Sequence, residues 1–202
     1  MDLHSYVKNS LKQSADNLAL LSQNQELQTQ LVRAAEMIIE SYKKGGKLLI
    51  AGNGGSAADS QHIAAELVGK LAKDRTPLPA IALSVDSSFL TAVGNDYGYD
   101  FVFSRQVQGH MTENDVFLAI TTSGNSVNIV KALEACRKKG GKSILLSGKG
   151  GGKIKEANLA DVYLIANGNH TANIQEAHIA IYHCLCFMIE LGLAEQGFVE
   201  YY

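Results

Sequence analysis

The chain has 202 residues, 46% apolar and 19% charged, the balance of a globular protein with a buried core and not of a disordered one. A net charge of −2 gives no electrostatic reason to expect nucleic acid or an anionic membrane as partner. The three cysteines, Cys136, Cys184 and Cys186, lack metal-motif spacing. Cys184 and Cys186 point to nearly opposite sides of an expected helix, so free thiols in a reducing cytoplasm are the expectation.

Leu, Val, Ile and Ala recur at helical spacing over 3–22 and 25–44, predicting two helices in an N-terminal extension of about 1–45. That segment is amphipathic and polar, without the apolar block of a secretory leader. "KKGGK" at 43–47 and "RKKGGK" at 137–142 read as helix ends, lysines complementing the dipole and glycines stopping the helix. Strands and helices then alternate. The short apolar runs "KLLIAG" (47–52), "AIALSV" (80–85), "DVFLAITT" (115–122), "KSILLSG" (142–148) and "DVYLIA" (161–166) lack clean in/out alternation, as parallel strands buried on both faces do. Helical patterns lie between them near 57–72, 87–94, 100–110, 126–139 and 151–158, with a long one over 172–196. That last segment contains His178, His183 and Glu190 and is too short and polar to span a bilayer comfortably. The expected class is α/β, a doubly wound five-stranded parallel sheet flanked by helices, in one domain over 1–202.

In such sheets ligands bind beyond the carboxyl ends of the strands, where "GNGGSA", "SVDSS" and "TTSGNS" fall. Gly52, Gly54 and Gly55 allow a tight turn before a helix whose N-terminus favours an anion. "GNGGSA" fits the loose pattern G-x-G-x-x-A, yet no acidic residue closes the following strand at the ~20-residue distance of a dinucleotide site. A P-loop is excluded by the missing G-K-S/T ending. "TTSGNS" places Thr121, Thr122, Ser123 and Ser126 at the next helix start. One hydroxyl suffices to cap a helix, and four with backbone N–H groups can surround a monophosphate.

His62 and Glu66 are i and i+4 on the helix after the glycine turn and share a face. Gln175 and His183 lie eight residues apart on the C-terminal helix, within about 80° of each other. Together the four could supply two imidazole nitrogens and two oxygens to Zn²⁺ or another borderline divalent metal. Glu66 is a candidate base and His183 a candidate acid. His178, ~140° around the helix from His183, is left out of the set. His4, His110 and His170 read as ordinary surface residues.

The ordered motifs "GNGGSAAD.QH.AAEL", "PAIALS.D.S.LTA.GNDYG", "FSRQV", "AI.TSGNS.N" and "IQEAH....H" resemble the phosphoheptose (sedoheptulose-7-phosphate) isomerases of the sugar isomerase (SIS) superfamily, over about residues 4–194. The resemblance implies a flavodoxin-like sheet and a homotetramer with active sites between subunits. It implies isomerisation of sedoheptulose 7-phosphate to D-glycero-D-manno-heptose 7-phosphate, the first step toward nucleotide-activated heptose. By the same resemblance Asn53, Gly54, Gly55, Asn95 and Asp96 contact substrate. Ser56, Thr121, Thr122, Ser123 and Ser126 hold its phosphate, and His62, Glu66, Gln175 and His183 hold one zinc per subunit, with Glu66 and His183 as the acid/base pair. Two departures stand out: Thr121 where members carry Ser, and Asn173 where they usually carry Arg. The alternatives are a silent sugar-phosphate-binding protein, an isomerase of another phosphosugar, to which Asn173 points, or a protein associating with the replication initiator, as some relatives do that have lost the second histidine. His183 is present here.

Overall fold

The computed structural model describes residues 2–168 and 170–202. Two amphipathic helices come first, α1 (Leu3–Ser22) and α2 (Gln25–Lys43). Asp2 and Asn24 cap their N-termini by accepting backbone N–H bonds, and Gly45 follows the α2 end with φ +74, as the lysine–glycine pattern predicts. Five strands follow: β1 (Leu48–Gly52), β2 (Ala80–Ala82), β3 (Val116–Thr121), β4 (Lys142–Ser147) and β5 (Val162–Ile165). All pair in parallel in the order β2-β1-β3-β4-β5, the flavodoxin-like arrangement.

Between and after the strands run α3 (Gly55–Val68), α4 (Ser87–Asp96), α5 (Ser104–His110), α6 (Val127–Lys138), α7 (Gly152–Glu156) and α8 (Thr171–Glu195). Alternate strand residues feed two cores, because successive side chains leave a strand on opposite faces. Leu48, Ile50, Leu118, Ile120 and Leu146 pack with α2, α3 and α8. Leu49, Ala51, Phe117, Ala119 and Leu145 pack with Val93, Val107, Ile129 and Leu133 from α4, α5 and α6. β1 and β3 are buried along their whole length. The α8 segment is long and apolar enough to cross a membrane by composition, yet half of its most apolar window is buried within the fold.

Several boundaries differ from the sequence expectation for local reasons. Of the run 80–85 only Ala80–Ala82 forms β2; just beyond it the Leu83 N–H donates to the Ile50 carbonyl at 2.8 Å and the Leu83 carbonyl accepts from Gln106 Nε2 at 2.8 Å. The helix expected over 57–72 starts at Gly55 and stops at Val68, where the Arg75 guanidinium donates to the Glu66 and Leu67 carbonyls. The segments 100–110 and 151–158 each begin at a 3₁₀ turn, Tyr99–Phe101 and Lys149–Gly151, and their α-helices cover only Ser104–His110 and Gly152–Glu156.

Candidate functional site

β1 and β3 are neighbours whose connections run to opposite sides, which makes their carboxyl ends the topological switch point. The loop after β1 turns at Gly54, whose φ of 57° and ψ of −120° suit glycine alone. α1, α2 and α4 are closed by acidic or amide side chains. α3 and α6, the two helices that start at the switch point, carry no side-chain cap. Their dipoles favour an anion beyond the strands, while the Ser56 and Ala57 N–H groups of α3 and the Ile129 N–H of α6 donate to the Asn53, Gly54 and Ser126 carbonyls.

The hydroxyl residues of the two loops stand as follows. Ser126 stands at the α6 cap position without capping, and its Oγ lies 3.1 Å from Thr121 Oγ1. Ser123 Oγ accepts the Asn125 N–H at 3.2 Å. Thr122 and Ser123 are half-buried, while Thr121 and Ser56 are buried. The two loops are tied by a reciprocal amide pair: Asn53 Nδ2 donates to Asn128 Oδ1 at 2.9 Å, and Asn128 Nδ2 donates to Asn53 Oδ1 at 2.8 Å.

About two helical turns into α3 the chemistry changes. His62 Nε2 lies 3.0 Å from Glu66 Oε1, and His183 on α8 brings its ring centroid 5.1 Å from that of His62. His62, Glu66 and His183 each offer one ligand atom, all within 4.8 Å of one another. Two imidazole nitrogens and a carboxylate oxygen converging so closely fit a borderline divalent cation. Gln175 reaches the same helix from α8: a Cβ built on Gly55 would collide with its Nε2. His178 does not join the group. It is fully buried on another face of α8, toward Ser147, and burial pushes its pKa down to about 4, which keeps it neutral. His4, His110 and His170 are exposed.

Three residues of this site escaped sequence reasoning because only the tertiary structure brings them here. Asn128 is one. Tyr182 is another, its hydroxyl 2.8 Å from His62 Nδ1. The third is Asp59, buried one turn before His62, with Oδ2 lacking any hydrogen-bond partner. Burial pushes the Asp59 carboxyl up to about 6, offset in part by His62. Its folded-state pKa thus exceeds its unfolded value, and the fold prefers the neutral acid. Stability from this group is present at low pH and is lost as pH rises through about 6. Asp59→Asn removes that titration. The variant should gain about 1 kcal/mol relative to the parent chain between pH 5 and pH 8, read from melts at both. A stability difference independent of pH would refute the assignment.

Asn95 and Asp96 lie apart from the cluster. Both are exposed at the carboxyl end of α4, where Asn95 Nδ2 donates to Asp96 Oδ1 at 2.8 Å. No hydrogen bond among the described residues links them to the loops. Asn173 is buried in the first turn of α8, its carbonyl accepting Asn17 Nδ2 from α1 at 3.2 Å.

Comparison with known proteins agrees with this geometry. Residues 14–148 match the SIS domain family. The chain is similar to the phosphoheptose isomerase of Citrifermentans bemidjiense, 50% identical over 85% of this chain and 88% of that one. It is similar to the phosphoheptose isomerase of Aneurinibacillus thermoaerophilus, 44% identical over 98% of this chain and 99% of the other. Among solved structures, the phosphoheptose isomerase of Neisseria gonorrhoeae superimposes with a TM-score of 0.87 at 41% identity, over 94% of this chain and 100% of that one.

Proposed function

The chain belongs to the SIS-domain phosphoheptose isomerases, and we propose from that premise how its own residues interconvert sedoheptulose 7-phosphate and D-glycero-D-manno-heptose 7-phosphate. The observation that carries the reading is the adjacency of an anion site and an acid–base cluster on one helix. The glycine turn opens α3, and His62 and Glu66 follow within its first three turns.

The sugar phosphate would seat its phosphate among Ser56, Thr121, Thr122, Ser123 and Ser126, at the open N-termini of α3 and α6. Asn53, Gly54 and Gly55 would line the sugar beside them. The Glu66 carboxylate then takes a proton from C1 while O2 gains one, giving the enediol. Return of a proton to C2, with loss of the O1 proton, yields the aldose. His183 supplies and recovers the proton exchanged at oxygen, and both groups lie within reach of a single small substrate. His62, Glu66 and His183, with the Gln175 amide, would hold one zinc ion per subunit. When bound, the ion supplies Lewis-acid polarisation of the carbonyl and charge stabilisation at the sugar oxygens.

The chain acts as one SIS unit over 1–202 with the helical pair of about 1–45 attached, in a homotetramer with sites between subunits. Exposed Leu3, Tyr6, Val7 and Leu11 on α1 support an assembly that covers them. The exposed Asn95 and Asp96 suit a site completed at such an interface. Three free cysteines agree with the cytoplasm. Incubation with sedoheptulose 7-phosphate, with and without added zinc, should yield the aldose. Tight binding without turnover at any metal load would replace this reading with a silent sugar-phosphate sensor. Loss of turnover after chelation, restored by zinc, is the expected metal dependence; full activity in metal-free protein would reject it.

A further inference from the structure

Tyr182 packs its ring against both imidazoles of the cluster. Its ring is buried, 1% exposed. It meets the His62 ring edge-on with centroids 5.4 Å apart and the His183 ring at 4.9 Å. Its hydroxyl lies 2.8 Å from His62 Nδ1, while the opposite nitrogen of the same ring, Nε2, lies 3.0 Å from Glu66 Oε1. His62 is therefore clamped at both nitrogens by groups of different character.

A carboxylate only accepts hydrogen bonds, whereas a phenol both donates and accepts. That difference sets what the imidazole can do. When His62 carries its proton on Nε2, it donates to Glu66, and Nδ1 is an acceptor for the Tyr182 O–H. When Nε2 coordinates a cation, its lone pair is committed, the proton must sit on Nδ1, and Nδ1–H needs an acceptor. The Tyr182 oxygen provides it by rotating its O–H away. Neither tautomer leaves a ring nitrogen of His62 without a partner.

We propose that Tyr182 is a positioning residue that serves His62 in both tautomers and so sets the affinity of the His62–Glu66–His183 cluster for its metal. This inference rests on the metal reading above. Phenylalanine at 182 would keep the ring packing against both histidines and remove only the hydroxyl. With the Nδ1–H tautomer then lacking its acceptor, coordination through Nε2 is disfavoured.

The test is zinc affinity of the purified protein by competition with a chromophoric chelator, with Tyr182→Phe beside the parent chain. Loss of an outer hydrogen-bond partner of a ligating histidine typically costs about 10–100-fold in metal affinity, and that loss is expected. Tyr42→Phe is the control, because the Tyr42 hydroxyl is equally buried but donates to the Pro79 carbonyl, away from the cluster. It should leave zinc affinity unchanged, and an equal loss in both variants would reassign the effect to general destabilisation and overturn the proposal. ¹⁵N chemical shifts of the His62 ring supply a second readout. Zinc should drive the parent ring to the Nδ1–H tautomer, with Nδ1–H shifted by its bond to Tyr182 and the shift lost in Tyr182→Phe. Unchanged zinc affinity and unchanged ring shifts in Tyr182→Phe would overturn the proposal. A parent chain that binds no zinc would instead reject the metal reading beneath it.

Discussion

Glu66→Gln should lower turnover of the heptose phosphate by about 10²–10⁴-fold, the contribution expected of a positioned general base. The amide keeps the size and hydrogen-bonding capacity of the side chain but cannot take a proton from C1. Glu66 also faces His62 and His183 within the candidate metal cluster. The assay therefore needs saturating zinc and a parallel metal analysis, to separate lost base chemistry from lost metal. Substrate dissociation should change little, because the phosphate loops lie on other residues. Melting behaviour should also be close to that of the parent, since the Glu66 carboxylate bonds only to a partly exposed imidazole. Near-parental turnover at full metal occupancy would remove Glu66 from the role of base.

The largest effect on stability is expected at Arg75, which no catalytic argument singles out. Its side chain is fully buried and its Nε donates to Glu190 Oε2 at 2.7 Å. Nη1 donates to the carbonyls of Leu67 and Thr76, and Nη2 to that of Glu66. One guanidinium thus ends α3, links it to α8, and stands where the C-terminal segment adds a bridge between Arg75 and Tyr201. Removing one member of a buried ion pair strands the other charge and typically costs about 3–5 kcal/mol. Arg75→Ala should fall in that range by chemical denaturation, a large share of a typical stability of about 5–15 kcal/mol. Removing both charges, as in Arg75→Met with Glu190→Leu, should recover a substantial part. A single variant that loses under about 1 kcal/mol would contradict the buried-pair account. The Glu66 carbonyl is among the groups Arg75 holds, so this stabilising knot also fixes the end of the helix that carries the base.

The parts of the fold most legible in the sequence were those governed by short-range pattern. The two leading helices fall within a residue of their expected bounds, because apolar spacing and the Asn24 and glycine punctuation act locally. Strand existence was equally clear, since β1 is apolar and β3 apolar up to its final Thr121, and both are buried throughout. Edges were less clear. β2 spans only three residues, and just beyond it the Leu83 carbonyl accepts from Gln106, a side chain more than twenty positions away, a contact of which periodicity carries no trace. The proposal of a phosphate site at the hydroxyl-rich loop rests on composition alone, because four hydroxyls in six residues exceed any capping need.

Half of the chemistry was readable for the same reason and half was not. His62 and Glu66 share a helical face by spacing alone, and Gln175 and His183 share another. That the two helices meet, bringing His183 against His62, depends on both packing on one face of the sheet. Tyr182, Asp59, Asn128 and Arg75 acquired their meaning only there, since in the sequence they are ordinary residues without a motif. Helix periodicity, turn chemistry and loop composition are properties of neighbouring residues, so the sequence by itself determined the elements and the two halves of the site. Which buried hydroxyl faces which imidazole nitrogen is a matter of ångströms between segments 120 residues apart. Only close packing of the finished core decides that.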